Sequence, residues 1–136
     1  MREIKFRAWE KHLKEIIPVY DIDFDFKQIN TNKAWRRFDE VELMQYTGLK
    51  DKNGKDIYEG DIIATDDYAV AMLKHWGKKT EEKISLYEIK FFEGRYMLFD
   101  KNSWVAVLNH HVMSKANELT VVGNFYENHE LLEKSK

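Results

Sequence analysis

The stretch Leu43–Ile63, LMQYTGLKDKNGKDIYEGDII, constrains the fold more than any other part of the chain. Side chains of its first arm alternate between two faces, and Asp56–Ile63 runs back as a second arm, so the pattern predicts a β-hairpin. Asn53-Gly54 provides the reversal, because both residues reach the positive φ angles of hairpin turns at little cost. Gly60-Asp61 predicts a bulge or bend, with the Asp61 carboxylate accepting local main-chain N–H groups. Such a bend lets one ribbon serve both walls of a small barrel or sandwich.

Four acidic residues of this stretch are also of the type that binds a cation, namely Asp51, Asp56, Glu59 and Asp61. A helix–loop–helix calcium loop requires oxygen ligands at positions 1, 3 and 5, glycine at position 6 and glutamate at position 12. Counted from Asp51, position 5 is Lys55 and position 6 is Asp56, so the pattern fails. We therefore predict that these residues serve turn geometry and form no metal site.

Length and composition limit the class of protein. The chain of 136 residues predicts one domain whose core needs neither metal nor disulfide. The absence of cysteine excludes thiolate catalysis and thiolate metal sites. The formal net charge of −2, with both signs interspersed, gives no general attraction to nucleic acid or to anionic membranes. The sequence shows neither a signal peptide nor a membrane span, so we expect a cytoplasmic protein.

Short alternating segments predict further strands on either side of the hairpin. Met1–Lys11 predicts a half-buried strand with a basic outer face, and Tyr20–Phe26 alternates large apolar residues with Asp21, Asp23 and Asp25. Lys27–Glu42 is polar and predicts a loop. Toward the C-terminus, the predicted elements are a hairpin of Ile84–Phe92 and Arg95–Phe99 around Glu93-Gly94, a last strand Leu119–Val122, and a helix through Glu130–Glu133 capped by Asn128.

The segment Asp66–Gly77 fits two structures. Its ends suit a short helix, with Asp66 as the N-cap and Gly77 after the last turn, but apolar residues also alternate within it, so a strand stays open. The chain as a whole therefore predicts a mostly β fold. We expect either a small twisted barrel or two packed antiparallel sheets, with a short C-terminal helix.

Two patterns suggest chemistry beyond a scaffold. Aromatic rings beside cationic side chains are typical of nucleic-acid binding, since bases stack on rings while guanidinium groups pair with phosphates. The three aspartates of Tyr20–Phe26, together with a histidine, could form a metal-dependent hydrolase or nuclease. The candidate nucleic-acid contacts are Lys5, Arg7, Trp9, Trp35, Arg36 and Arg37; the histidines are His12, His75, His110, His111 and His129; and the serines are Ser85, Ser103 and Ser114.

Three segments, MREIKFRAWEK, LMQYTGLKDKNGKDIYEGDII and VVGNFYENHELL, together resemble the YopX-like family of phage and prophage proteins. The middle match is long and specific. The last departs at Phe125 and His129, where the family pattern has isoleucine and proline. Residues 66–83 match nothing in the pattern and are predicted to be an insertion in a single YopX-like β domain spanning residues 1–136.

The resemblance implies a phage-borne, mostly β protein of unassigned biochemical function, and it supplies no catalytic residues. The leading hypothesis is a non-enzymatic interaction module in the cytoplasm of the bacterial host that self-associates or binds a phage or host protein. A nucleic-acid-binding module is the alternative, and a metal-dependent hydrolase or nuclease is the second alternative. We expect no cofactor, no metal and no catalytic residue.

Overall fold

The structure is a computed structural model that describes residues 3–101, 103–109 and 119–134. Its strands form two antiparallel sheets. The first sheet contains, in chain order, β1 (Phe6–Glu10), β2 (Glu15–Asp23), β3 (Gln28–Thr31), β4 (Ala34–Arg37), β5 (Val41–Lys50) and β6 (Asp56–Tyr58). The second contains β7 (Asp61–Asp66), β8 (Ile84–Phe92), β9 (Arg95–Phe99), β10 (Trp104–Val107) and β11 (Thr120–Asn124).

In space, the strand orders are β4-β3-β2-β1-β5-β6 and β10-β9-β8-β7-β11. Neither sheet closes into a barrel within the described ranges, so of the two predicted architectures the pair of antiparallel sheets is confirmed. Both predicted hairpins are also confirmed, and β8 and β9 have the predicted bounds. No helix in the described part of the chain is long and apolar enough to cross a bilayer.

The chain passes from one sheet to the other at the predicted bend. β6 pairs with β5 in the first sheet, and only two residues later β7 begins the second sheet. Gly60 lies at this point with a φ of 90°. A Cβ atom on Gly60 would lie 3.0 Å from the sulfur of Met44, so both the backbone angle and the available space require glycine.

The helices are short and lie around the second sheet: α1 (Tyr68–His75), α2 (Phe125–Asn128) and α3 (Glu130–Lys134). For the ambiguous segment, the structure shows the helix and not the strand. Its N-cap is Asp67, one residue later than predicted, and the Asp67 carboxylate accepts the N–H of Ala69. The predicted cap of the C-terminal helix was wrong: Asn124 caps α2 by accepting the N–H of Glu127, while Asn128 lies at the end of α2.

Two of the sequence predictions between residues 20 and 42 were wrong. Tyr20–Phe26 is not one alternating strand, because β2 ends at Asp23, whose Oδ1 atom accepts the N–H groups of Asp25 and Phe26 and so forms a turn. Lys27–Glu42 is not a loop. It forms β3, β4 and a 3₁₀ turn, Phe38–Glu40, so a third hairpin extends the first sheet.

Each sheet has its own buried core. The core of the first sheet consists of Ala8, Ile17, Ile29 and Val41, with partly buried neighbours that include Phe38 and Leu43. The core of the second sheet is larger and includes the hairpin residue Ile57 from β6. Its buried members are Ile57, Ile63, Ala71, Tyr87, Ile89, Leu98, Ala106 and Leu108. The ribbon through Ile57 therefore contributes to both halves of the molecule.

Candidate functional site

A buried ion pair joins the two sheets where the chain crosses between them. Arg7 on β1 donates from Nη2 to Oδ1 of Asp61, the first residue of β7, at 2.6 Å. The other carboxylate oxygen of Asp61 accepts the N–H of Tyr58 at 2.8 Å. Burial raises the pKa of Asp61 above its ordinary value, although Arg7 and the Tyr58 N–H oppose this shift. Asp61 therefore fixes backbone geometry, as its position after Gly60 predicts.

Asp51 connects the tip of the central hairpin to the last strand. Its Oδ1 atom accepts the N–H groups of Asn53 and Lys55, each at 2.9 Å, and its Oδ2 atom accepts the N–H of Val121 at 3.0 Å. Burial alone would raise the pKa of Asp51, but these main-chain donors hold it below its ordinary value. All of the nearest ligands of Asp51 are thus N–H groups, which leaves this carboxylate no role as a cation ligand.

The segment after β11 is folded by three side chains of the GNFYEN sequence. Asn124 accepts the N–H of Glu127 at 2.9 Å, and the Asn128 side chain accepts the N–H of Asn124 at 3.1 Å. Gly123 leaves room for this contact, because a Cβ atom there would lie 2.5 Å from the Asn128 side-chain oxygen. The polar residues in the three segments that carry the family resemblance thus mainly bond to one another and to the main chain.

Asp56 lies between two lysines on the first sheet. Lys5 and Lys50 each donate to a different oxygen of its carboxylate. Hydrogen bonds from Lys5 and Lys50 lower the pKa of Asp56 below its ordinary value. A depressed folded-state pKa contributes stability that is present above the unfolded-state pKa and is lost as the pH falls through the folded-state value.

We expect Asp56→Asn to lower the melting temperature at neutral pH and to lose this effect in acid. Thermal unfolding of both proteins from about pH 7 to about pH 2 measures the difference. The gap between them should shrink as the pH falls, because the wild-type carboxylate then becomes neutral. Asp25→Asn, at an exposed aspartate of the β2–β3 turn, is the control. A gap for Asp56→Asn that stays constant over this range would contradict the assignment.

The six candidate nucleic-acid contacts do not form one surface. Lys5, Arg7 and Trp9 belong to β1 and its entry, whereas the other three lie on the edge strand β4, three strands away. Neighbouring residues on a strand point to opposite faces, so Arg36 lies on the other face of the sheet from Trp35 and Arg37. The structure therefore divides the predicted patch into separate groups.

The cations of these groups are already paired with carboxylates. Arg36 lies 3.7 Å from Glu10, and Arg37 lies 3.1 Å from Asp39, in addition to the Arg7 and Lys5 pairs described above. Trp9 stacks on Tyr126 with ring centroids 5.6 Å apart. These contacts oppose, although they do not test, binding of a phosphate backbone.

The acidic face of β2 does not form a metal cluster. Asp23 accepts two main-chain N–H groups, and Asp21 lies 3.4 Å from the side-chain nitrogen of Asn30. No group of three or more histidine, cysteine or acidic residues is placed to hold a metal ion in the described part of the chain. Three residues named as candidates, His110, His111 and Ser114, lie outside the described residues.

The largest cleft has a volume of 580 Å³ and lies beside the first half of β8, next to the N-terminus of α1. Ser85 donates to Oδ2 of Asp67 at 2.8 Å, and Lys83 lies 3.7 Å from the same oxygen. Burial opposes the shift, but Ser85, the Ala69 N–H and Lys83 hold the pKa of Asp67 below its ordinary value. A carboxylate of low basicity is a poor general base, so this arrangement does not activate the serine.

A smaller cleft of 400 Å³ lies between the two sheets. It is lined by Glu42, Glu59 and Glu88 around the ring of Tyr126. Burial, followed by these three carboxylates, raises the pKa of the Tyr126 hydroxyl, and burial raises the pKa of Glu88. The cleft is negative and lies next to Trp9, which stacks on Tyr126, so this side of the first sheet repels phosphate groups.

Sequence reasoning missed the most exposed aromatic site. Phe24 and Phe26 were predicted to face a core, yet they leave 75% and 77% of their surface exposed. The signal that could have found them is Asp23, since an aspartate two and three residues before the exposed positions favours a turn over a continued strand. Both rings lie on the turn that joins β2 to β3, at one end of the first sheet.

Comparison with known proteins agrees with this architecture. The model of the family described as "YopX protein" matches residues 5–133. Protein EF1440 from Enterococcus faecalis, a solved structure, is similar with 28% identity and a TM-score of 0.65, over 97% of this chain and 99% of that one. YopX from Bacillus subtilis shares the fold with 18% identity and a TM-score of 0.55 over the whole of both chains. No curated protein matches the sequence. The chain belongs to the YopX family.

Proposed function

We propose that this protein is a non-enzymatic interaction module of phage origin, acting inside the bacterial host, that associates with itself or with another protein. The observation that carries the proposal is the exposure of Phe24 and Phe26 on the β2–β3 turn. Large aromatic side chains that contact water in the free protein contribute strongly to affinity when a partner buries them. This site would bind through apolar contact, without a chemical step.

The geometry of the turn suits such contacts. Asp23 accepts the N–H groups of both Asp25 and Phe26 at 3.0 Å, and the Phe24 ring meets the edge of Phe38 at a centroid distance of 6.2 Å. A turn that is already ordered loses less conformational entropy on binding than a flexible one. The polar residues of the family segments support the same proposal, because they are engaged in joining the two sheets.

The experiment replaces Phe24 and Phe26 by serine together. The wild-type protein is examined by size-exclusion chromatography with light scattering and by affinity capture from infected bacterial cells. We expect a homo-oligomer or a captured partner, and we expect the double variant to weaken this association by about 10-fold or more. The melting temperature should hardly change, since substitutions at exposed positions usually stay within about 0.5 kcal/mol.

Trp104→Ser is the matched control, because Trp104 is also a large aromatic residue, with 58% of its surface exposed, but it lies on the second sheet. This variant should retain the association. A wild-type protein that stays monomeric at high concentration and captures no partner would remove the proposal. Equal losses in the Trp104 variant and the double variant would show that the β2–β3 turn is not the binding site.

A further inference from the structure

We propose that the edge of β8 at Ile84–Tyr87 accepts an extended segment of another protein, which adds to the second sheet as a strand in line with β9. β7 pairs with β8 from Ile84 to Glu88, whereas β9 pairs with it only from Glu88 to Phe92. Within the described ranges, no strand therefore pairs with the β9 side of Ile84–Tyr87. At about 3.4 Å per residue, this open edge is roughly 13 Å long.

The hydrogen-bond directions show which groups face the open side. Ile89 accepts the N–H of Gly60 at 2.7 Å and Lys83 accepts the N–H of Asp67 at 2.9 Å, both on the side of β7. The register between β7 and β8 has no shift, so Ser85 and Tyr87 also direct their main-chain groups toward β7. Ile84 and Leu86, which alternate with them, direct a donor and an acceptor each into the open side.

The chain does not fill this position itself, because it turns away after β9. Asp100 and Ser103 close a turn in which each main-chain N–H donates to the other residue, at 3.1 Å in both cases. The cleft of 580 Å³ lies at this position and is lined on one side by Leu86 and on another by Lys101. The space and the free main-chain groups thus coincide.

The lining of the cleft indicates the chemistry of the added segment. Asp67 and Lys83 lie 3.7 Å apart and largely neutralise each other, while Leu86, Val105 and Leu132 supply apolar contacts. A row of alternating main-chain donors and acceptors is matched by another main chain in extended conformation. The occupant is therefore an extended peptide segment with apolar or uncharged side chains. The site is on the second sheet and does not depend on the Phe24–Phe26 turn.

Amide hydrogen exchange on the whole protein tests the open edge. We expect the N–H of Leu86 to exchange at least about 100-fold faster than those of Ser85 and Tyr87, which donate to β7. Equal protection of all three would mean that the protein fills this edge itself, and it would overturn the proposal. Protection of Leu86 that rises with protein concentration alone would assign the site to a second copy and not to a partner.

The second test uses Leu86→Pro, which removes only the N–H that faces the open side, and proline is tolerated at such edge positions. Ser85→Pro, the control, removes an N–H that pairs with β7 and should be far less stable. A random heptapeptide library displayed on phage is the binding probe. We expect enriched peptides to protect the Leu86 N–H and to bind Leu86→Pro at least about 10-fold more weakly than Leu86→Ala. No enrichment, or equal binding by both variants, would overturn the proposal.

Discussion

Asp61→Ala is expected to lower the free energy of unfolding by about 3–5 kcal/mol, because it leaves a buried cation without its partner. The Asp61 side chain is 1% exposed and the Arg7 side chain is 15% exposed, so water cannot replace the lost carboxylate. The variant also leaves the Tyr58 N–H without its acceptor. Urea unfolding followed by tryptophan fluorescence measures the change, and the slope with urea shows whether unfolding stays two-state.

The control for this prediction is Asp39→Ala. Asp39 also pairs with an arginine, Arg37 at 3.1 Å, but its side chain is 76% exposed. An exposed ion pair contributes about 0–1 kcal/mol, so this variant should unfold almost like the wild type. Equal effects of the two aspartate substitutions would show that the Arg7–Asp61 pair is not a buried connection between the sheets.

Asp51→Ala is expected to have the second-largest effect, a loss of about 2–4 kcal/mol. Three main-chain N–H groups lose an ionised acceptor, and each buried donor without a partner costs about 1–3 kcal/mol. The Val121 N–H matters most, since it is the contact between the hairpin tip and β11 across 70 residues of sequence. Denaturant unfolding measures the loss, and exchange of the Val121 N–H should become faster in the variant.

Asp51→Asn is the matched control for this effect. The amide keeps one acceptor oxygen of similar position and loses the other, so its destabilisation should be smaller than that of alanine. If Asp51→Ala unfolds like the wild type, the turn holds its shape through Asn53-Gly54 alone. The carboxylate would then need another explanation.

Much of the fold could be predicted from local patterns. The central hairpin, the β8–β9 hairpin and the bend at Gly60-Asp61 follow from turn residues whose backbone preferences are strong, and all three are present. The helix at α1 was less certain, because its apolar residues fit both periods. The Asp67 cap and Lys83, whose carbonyl accepts the Asp67 N–H, are tertiary features that decide between them.

The candidate sites were harder to predict, because they depend on pairing between distant strands. Alternation at Tyr20–Phe26 suggested that Phe24 and Phe26 face a core, but the Asp23 side chain bonds the local main chain and ends the strand first. The open edge at Leu86 arises because β9 is shorter than β8 on that side, which no pattern within either strand shows. The acidic partners of Arg7 and Arg36 likewise come from other strands.

A double-mutant cycle between Arg7 and Asp61 tests most directly whether the polar residues of the family segments serve as connections between the sheets. Arg7→Met, Asp61→Ala and the combined variant are unfolded in urea under the same conditions. We expect the double variant to be more stable than the sum of the single losses predicts, by about 2 kcal/mol, since removing both charges leaves neither one buried alone. Losses that add within about 0.5 kcal/mol would contradict the account, because independent residues would then not form the connection.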